Sequence, residues 1–407
     1  MQFCQERPIF NFMIHYNING FNCNVLYNHY NQGNNAYIGI VVNHNNAPES
    51  KEIFHFIEHT LISTWYTKYC NYQNISISAK TSVECTQYII SLPKSRSRFL
   101  LSIELANSII QGYFVSRNDC QKIKADIIFE YNMVLNQAPF KIEQEMLYKI
   151  CGLLSTPIGT SESIQAIEHN DILDCFKKYY TPHNIQILVL GIPTQWKSYL
   201  RHFGSNLAHI KILGKRKNNH PFYSLFDLDK DTNKIAEFYK KPQYDSYDFT
   251  YFNYFQEFED TTKENVFINL YLLVIEEVVL EKLNVGFEDI IFDVVEVTLN
   301  KKVIRLAKKK TVPINFEKIC SILKNIEFYK KSVQSALSSA IQITKNQLRS
   351  CFEFSETQMQ VYLDALATGY PPYNATDLLR LLNNTPNKIW EVAIYDSSKK
   401  FFKFQNR

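Results

Sequence analysis

Phe54-His55-Phe56-Ile57-Glu58-His59 is the stretch on which the reading of this chain turns. Phe54, Ile57, Leu61 and Trp65 recur at steps of three and four, the spacing of one apolar helix face. His55, Glu58, His59 and Ile62 fall on the neighbouring face. Imidazoles at i and i+4 can grip one metal ion, and a carboxylate between them can reach the metal's bound water. The pentapeptide from His55 to His59 reads H-x-x-E-H, the reverse of the commoner H-E-x-x-H. Two surface histidines beside a glutamate would satisfy the same pattern, so its weight depends on the rest of the chain.

A hydrolytic zinc site needs three protein ligands and one open position. Glu130 is the candidate third ligand. It lies in a predicted helix over 117–137, preceded by a capping cluster at Ser116 to Asp119. Ile123, Ile127 and Val134 mark the apolar stripe of that helix, and Glu130 falls within it. A carboxylate on an apolar face is costly unless paired or metal-bound. A buried salt bridge to Lys or Arg is the alternative.

These residues, with several further blocks, resemble the pitrilysin and insulin-degrading-enzyme family of zinc metallopeptidases, the inverzincins, which includes the mitochondrial processing peptidase. Ile18-Asn19-Gly20-Phe21 matches the family's opening N-G strand, and Glu49 its acidic residue before the zinc helix. Ala79-Lys80-Thr81-Ser82-Val83-Glu84-Cys85-Thr86-Gln87-Tyr88 matches A-x-T-x-x-E-x-T-x-Y, and Thr156-Pro157-Ile158-Gly159-Thr160 matches a P-x-G-T loop. Asp171 to Phe176, Tyr179-Tyr180-Thr181-Pro182, Asn184 and Ile187 to Gly191 match a helix, YY-x-P, strand and glycine block. The departures are Ile53-Phe54 in place of a small pair, Ser63-Thr64-Trp65 in place of G-T, Ser78 in place of Asn, and Ile123 where many members carry a second glutamate. Neither Asp126 nor Asp119 fits that last spacing. The metal set is intact and its supporting shell altered.

The resemblance implies an α+β fold of two related α/β domains, each an antiparallel-rich mixed sheet with helices on it, together one half of a clam-shell chamber. It implies a catalytic zinc-binding domain over 1–213, a linker over 214–249 and a second, non-catalytic domain over 250–407. One Zn2+ per chain would sit on His55, His59 and Glu130, with Glu58 as general base. A peptide substrate would pair with an edge strand at Ser78, Ala79, Lys80 and Thr81. A sheet edge with no such role is the bland reading of that strand. Half-length members pair with another half, so a homologous subunit without zinc is expected as heterodimer partner, a homodimer being the runner-up. Arg349 and Tyr370 are candidates only by type for the peptide-gripping pair such partners carry. Related subunits in bacterial clusters trim leader peptides from ribosomally made, modified peptides, although nothing in this chain shows that substrate. A catalytically inactive structural or peptide-binding subunit is the alternative.

Composition is compatible with this. The chain has 407 residues and 45% apolar content, enough for a sizeable core. Its 44 basic and 40 acidic residues are too balanced to argue for nucleic acid. Lys215–Lys217 and Lys308–Lys310 read as solvated basic clusters. Nine cysteines without C-x-x-C form neither a disulfide framework nor a zinc ribbon. The N-terminal residues resemble neither a secretory nor a transit peptide, and the longest apolar run, near Val266–Ile275, is stopped by Glu276-Glu277. A cytoplasmic location away from membranes is expected. Along the chain, strands are expected at Asn22–Tyr27, Tyr37–Val42, Asn74–Ser82, Cys85–Leu92 and near Ile187–Gly191. Helices are expected at Arg96–Gly112, Arg117–Gln137 and Lys141–Leu154. The second half should repeat this order, with helices at about Asn315–Ile326, Val333–Glu353 and Glu356–Leu366.

Overall fold

A computed structural model describes residues 13–27, 34–44, 47, 49, 51–69, 74–112, 117–135, 157–205, 247–253, 261–298, 301–350, 356–368 and 375–402. The expected helix at Lys141–Leu154, most of the linker and Tyr370 lie outside them. Two compact units emerge, and helix Glu356–Thr368 belongs to the first.

The first unit is built on a six-stranded sheet in the order β1-β2-β6-β3-β5-β4. Its strands are β1 (Met13–Ile18), β2 (Phe21–Tyr27), β3 (Asn35–Asn43), β4 (Ser76–Thr81), β5 (Cys85–Pro93) and β6 (Ile185–Ile192). All neighbours are antiparallel except β2 and β6. The N-G dipeptide proves to be a two-residue hairpin turn: Ile18 pairs with Phe21, and Asn19 and Gly20 have φ of 50° and 89°. Positive φ at both positions suits the strand twist, and Asn-Gly is the pair that tolerates it best. β1 extends the sheet beyond the strands read from sequence.

β3 is buried along almost its whole length, so the sheet must be covered on both faces. Ala36, Ile38, Ile40 and Val42 join the main core with Tyr88 and Ile90 of β5, beneath α1 (Glu52–Tyr69) and α2 (Arg96–Gln111). The opposite face is covered by helix Glu356–Thr368, which contacts β3, β5 and β6. A Cβ at Gly39 would lie 2.6 Å from side-chain atoms of both Leu363 and Met359, so the glycine admits this close approach. Gln87 Nε2 donates to Asp364 Oδ1 at 2.9 Å, and Gln186 Nε2 to the Leu366 carbonyl at 3.0 Å. From sequence this helix was assigned to the second half. The contacts correct that assignment, because the apolar face of this helix covers Gly39 and its neighbours on the first sheet.

α3 (Arg117–Leu135), α4 (Ser161–Ala166) and α5 (His169–Tyr179) complete what matters for the candidate site. α4 begins with a capping box in which Thr160 Oγ1 accepts from the Ser163 amide at 3.1 Å and Ser163 Oγ from the Thr160 amide at 2.9 Å.

The second unit has a three-stranded antiparallel sheet, ordered β7-β9-β8: β7 (Tyr247–Asn253), β8 (Ile290–Thr298) and β9 (Lys301–Lys309). Helices Thr261–Leu283 and Lys330–Ser350 pack on each other, and Phe267, Leu270, Tyr271, Val274 and Val278 form the core with Ile304, Leu306 and Val333. The basic cluster is partly buried here: Lys308 Nζ donates to the carbonyls of Lys309 and Val312, both at 3.2 Å. Helices Ala375–Asn384 and Asn387–Phe402, not read from sequence, close this unit, with Trp390 and Ile394 in its core.

Candidate metal centre

α1 carries His55, Glu58 and His59. Its first turns are buried on every side, with Glu52, His55 and Glu58 each at 9% exposure or less. That differs from a helix with one apolar face. The cause is tertiary: β4 and β5 cover one side, and α4 and α5 others. Lys51, just before α1, donates to the carbonyls of His44 and Ala47 at 3.2 and 3.3 Å. Glu49 accepts from Lys178 at 2.5 Å and from the Tyr179 hydroxyl, fastening the approach to α1 onto α5. Gly159 has φ of +69°, and a Cβ there would lie 2.7 Å from Glu52 Cβ, so its loop runs directly against the first turn of α1.

His55 Nε2 and His59 Nε2 lie 3.0 Å apart. Glu130 Oε2, from α3, is 3.2 Å from His59 Nε2 and 3.7 Å from His55 Nε2. Zinc bonds of about 2.0–2.1 Å at tetrahedral angles separate neighbouring ligand atoms by about 3.3 Å. The three atoms therefore outline one face of a tetrahedron of zinc size. His55, Glu58 and His59 also hold ligand atoms within 4.8 Å of one another. Of the two candidate sets we favour Glu130 as third ligand, because Glu58 is engaged elsewhere: Thr81 Oγ1 donates to its Oε2 at 2.5 Å. Ile123 and Ile127 are buried as expected, but Glu130 sits at the rim of their stripe, its side chain 43% exposed. The Lys or Arg partner considered for Glu130 is replaced by the two imidazoles.

Burial, reinforced by the neighbouring His59, pushes His55 down to about 4, leaving its imidazole neutral at neutral pH. Burial also acts to lower His59, but its hydrogen bond with Glu130 and the charges of Glu58, Glu130 and Asp126 outweigh this and raise it. The bond to His59 lowers Glu130, whereas burial raises Glu58 against the opposing Thr81 bond. The neutral His55 imidazole and the ionised rim carboxylate suit a divalent cation, whereas His59, held towards its protonated form by Glu130, gives up a proton to join them. One feature is atypical: His55 Nδ1 is buried without a hydrogen-bond partner, where a metal-bound histidine usually donates.

Among the described residues β4 is the sheet edge beside this site, paired with β5 and touching α1. Its side chains alternate. Ile77, Ala79 and Thr81 turn towards the core under α1, while Ser78 Oγ donates to Glu356 Oε1 at 2.6 Å on the opposite face. Lys80 is exposed. Of the four expected peptide-binding residues, Thr81 thus has its side chain committed to Glu58.

Sequence comparison is silent: no family model matches the chain, and no curated protein matches it. Solved structures do match. A protease from Helicobacter pylori superposes with TM-score 0.71 at 13% identity, covering 96% of this chain and 97% of that one. The first half of the periplasmic protease PqqL from Escherichia coli gives 0.68 at 13%, covering 96% and 90%. An inactive M16 peptidase domain from Pseudomonas fluorescens gives 0.69 at 11%, covering 95% and 96%. The fold is that of an M16 peptidase half. The α+β class expected from the motifs is therefore the observed one. One of these structures is an inactive M16 domain, so the fold leaves the chemistry to be argued from side chains.

Sequence reading missed the polar residues behind Glu58. Thr86 Oγ1 lies 3.2 Å from Thr81 Oγ1 and 3.2 Å from His44 Nε2. His44 in turn stacks on Phe54, ring centroids 3.7 Å apart and planes 10° from parallel. Tyr88 and Tyr180 share a hydroxyl hydrogen bond of 2.7 Å. Thr81, Thr86 and Tyr88 all stood in the A-x-T-x-x-E-x-T-x-Y pattern, so a signal existed without its meaning.

Proposed function

We propose that this chain is a zinc-dependent endopeptidase subunit acting on short, unfolded peptides. The observation that carries the proposal is the triangle of His55 Nε2, His59 Nε2 and Glu130 Oε2, with the Glu58 carboxylate beside it and the free edge of β4 next to it. An M16 fold around such a set supports the same reading. Zinc bound there would supply Lewis acidity, lowering the pKa of a water to about 7 and stabilising an oxyanion.

The chain's own residues do the rest. An extended peptide added to β4 is held by backbone hydrogen bonds, which accept any sequence and select an unfolded chain. Glu58 takes the proton of the attacking water and later delivers it to the leaving amine. Burial helps it in both tasks by raising its proton affinity. α1, covered by β4, β5, α4 and α5, keeps competing water from Glu58.

The test is metal analysis of the purified chain, followed by peptide hydrolysis with and without a chelator. One zinc per chain and chelator-sensitive cleavage are expected, and a chain that takes up no zinc ends the proposal. A second reading, a peptide-binding subunit without activity, draws on the inactive M16 domain among the structural matches, the unpartnered His55 Nδ1 and the apolar Ile123. It predicts peptide binding without cleavage. A homologous partner half and leader-peptide substrates remain part of the proposal at a finer level; the PqqL match supports the former, since this chain spans 46% of that full-length protease.

A further inference from the structure

We propose that Thr81 is a positioning residue for Glu58, the last donor in a one-way hydrogen-bond chain that starts at His44. The inference rests on Glu58 being the base. Counting protons gives the chain its direction. The Glu58 carboxylate only accepts, so the Thr81 hydroxyl must donate to it, and the contact is 2.5 Å. With that proton committed, the Thr81 oxygen is left to accept, so the Thr86 hydroxyl 3.2 Å away donates to it. With its own proton given to Thr81, Thr86 accepts from its other two neighbours, His44 Nε2 at 3.2 Å and the Tyr180 hydroxyl, which assigns His44 the Nε2–H tautomer. His44 and Thr86 are almost fully buried, leaving water little access to substitute for a lost bond.

The scaffold is rigid at each link. Thr81 and Thr86 are direct cross-strand partners on β4 and β5. His44 follows β3 and is clamped by its stack on Phe54, the residue before His55. The chain therefore ties Glu58 to the same sheet that carries the β4 edge. Thr81 lies at the end of that edge, so the base and a peptide paired with β4 share one reference frame. A base must be oriented by a further group to act efficiently, and displacement of about 1 Å can cost about 100-fold.

Thr81→Val removes the donor at nearly constant volume, and Thr81→Ser keeps it. Thr81→Val should retain full zinc and lower kcat about 10- to 100-fold with KM within about threefold, while Thr81→Ser stays within about threefold of wild type. The zinc-free protein gives a second readout. There, Thr81→Val should lower the melting temperature, and should lower it no further once Glu58→Ala is present, because the two act through one bond. Should Thr81→Val fail to fold, Thr86→Val, one bond further back, should show the same loss of kcat in milder form. Unchanged kcat in Thr81→Val, equal losses in Thr81→Val and Thr81→Ser, or additive melting shifts would overturn the proposal. Failure of the peptidase reading would look different: no zinc and no cleavage in the wild type, with the melting-temperature coupling between Thr81 and Glu58 intact.

Discussion

Glu58 and Glu130 are both carboxylates near His59, yet their surroundings drive them in opposite directions. Burial raises the first, and the His59 hydrogen bond lowers the second. That split fits the proposed roles, since a base needs proton affinity and a ligand needs ionisation. Glu130→Gln should therefore lose zinc affinity by more than the 10- to 100-fold typical of an outer-shell change, read by elemental analysis after dialysis. Stoichiometric zinc in that variant would remove Glu130 from the ligand set. Glu58→Gln should keep its zinc and lose about two to four powers of ten in turnover. Cleavage at the wild-type rate would mean that another group takes the proton.

At the scale of elements, the site depends on how α1 is held. The Gly159 loop presses on its first turn, and Glu49 fastens its approach to Lys178 and Tyr179. Gly159→Ala places a side chain where φ is positive and Glu52 is already in contact, so it should cost roughly 1–3 kcal/mol. The shift in urea midpoint measures this, and the same variant should bind zinc more weakly because the turn carrying Glu52 leads into His55. An unchanged midpoint would show that the loop is free to move aside. The sequence indicated α1, β2 to β6, α2 and α3 to within a few residues, because apolar periodicity and the Asn19-Gly20 turn are local signals. Helix Glu356–Thr368 is legible as a helix but reads as part of the second half, since amphipathicity shows that a face needs cover without naming the partner.

Across the whole molecule, the second unit has its own electrostatic dependence. Burial, with help from Asp293, raises Glu276 from 4.5 to about 7. Such a carboxyl favours the fold when protonated, so its contribution is full below pH 4.5 and declines as pH rises through 7. Glu276 is partly exposed, so solvent screening reduces the effect to about 1 kcal/mol. Glu276→Gln should flatten the pH dependence of stability between pH 5 and 8 and make the variant the more stable at pH 8, by thermal melting. A slope identical to wild type would count against it. Catalysis on this scale belongs to the proposed pairing of halves: the purified chain should cleave peptides weakly and gain activity on addition of a homologous partner. Full activity in monomeric size-exclusion fractions would refute the need for one.

The sequence by itself determined that two imidazoles and a carboxylate share one turn of helix, because helical spacing is set by the backbone alone. It also indicated β2 to β6 and α1 to α3 in their order, though neither β1 nor the place of helix Glu356–Thr368 in the first unit. Only the tertiary structure decided that Glu130 reaches those imidazoles from another helix and that the first turns of α1 are buried. It alone joined His44, Thr86 and Thr81 behind Glu58, three residues spread over two strands and a loop. Distances between segments distant in sequence are fixed by sheet register and packing, and those become definite only when the core of the first unit closes.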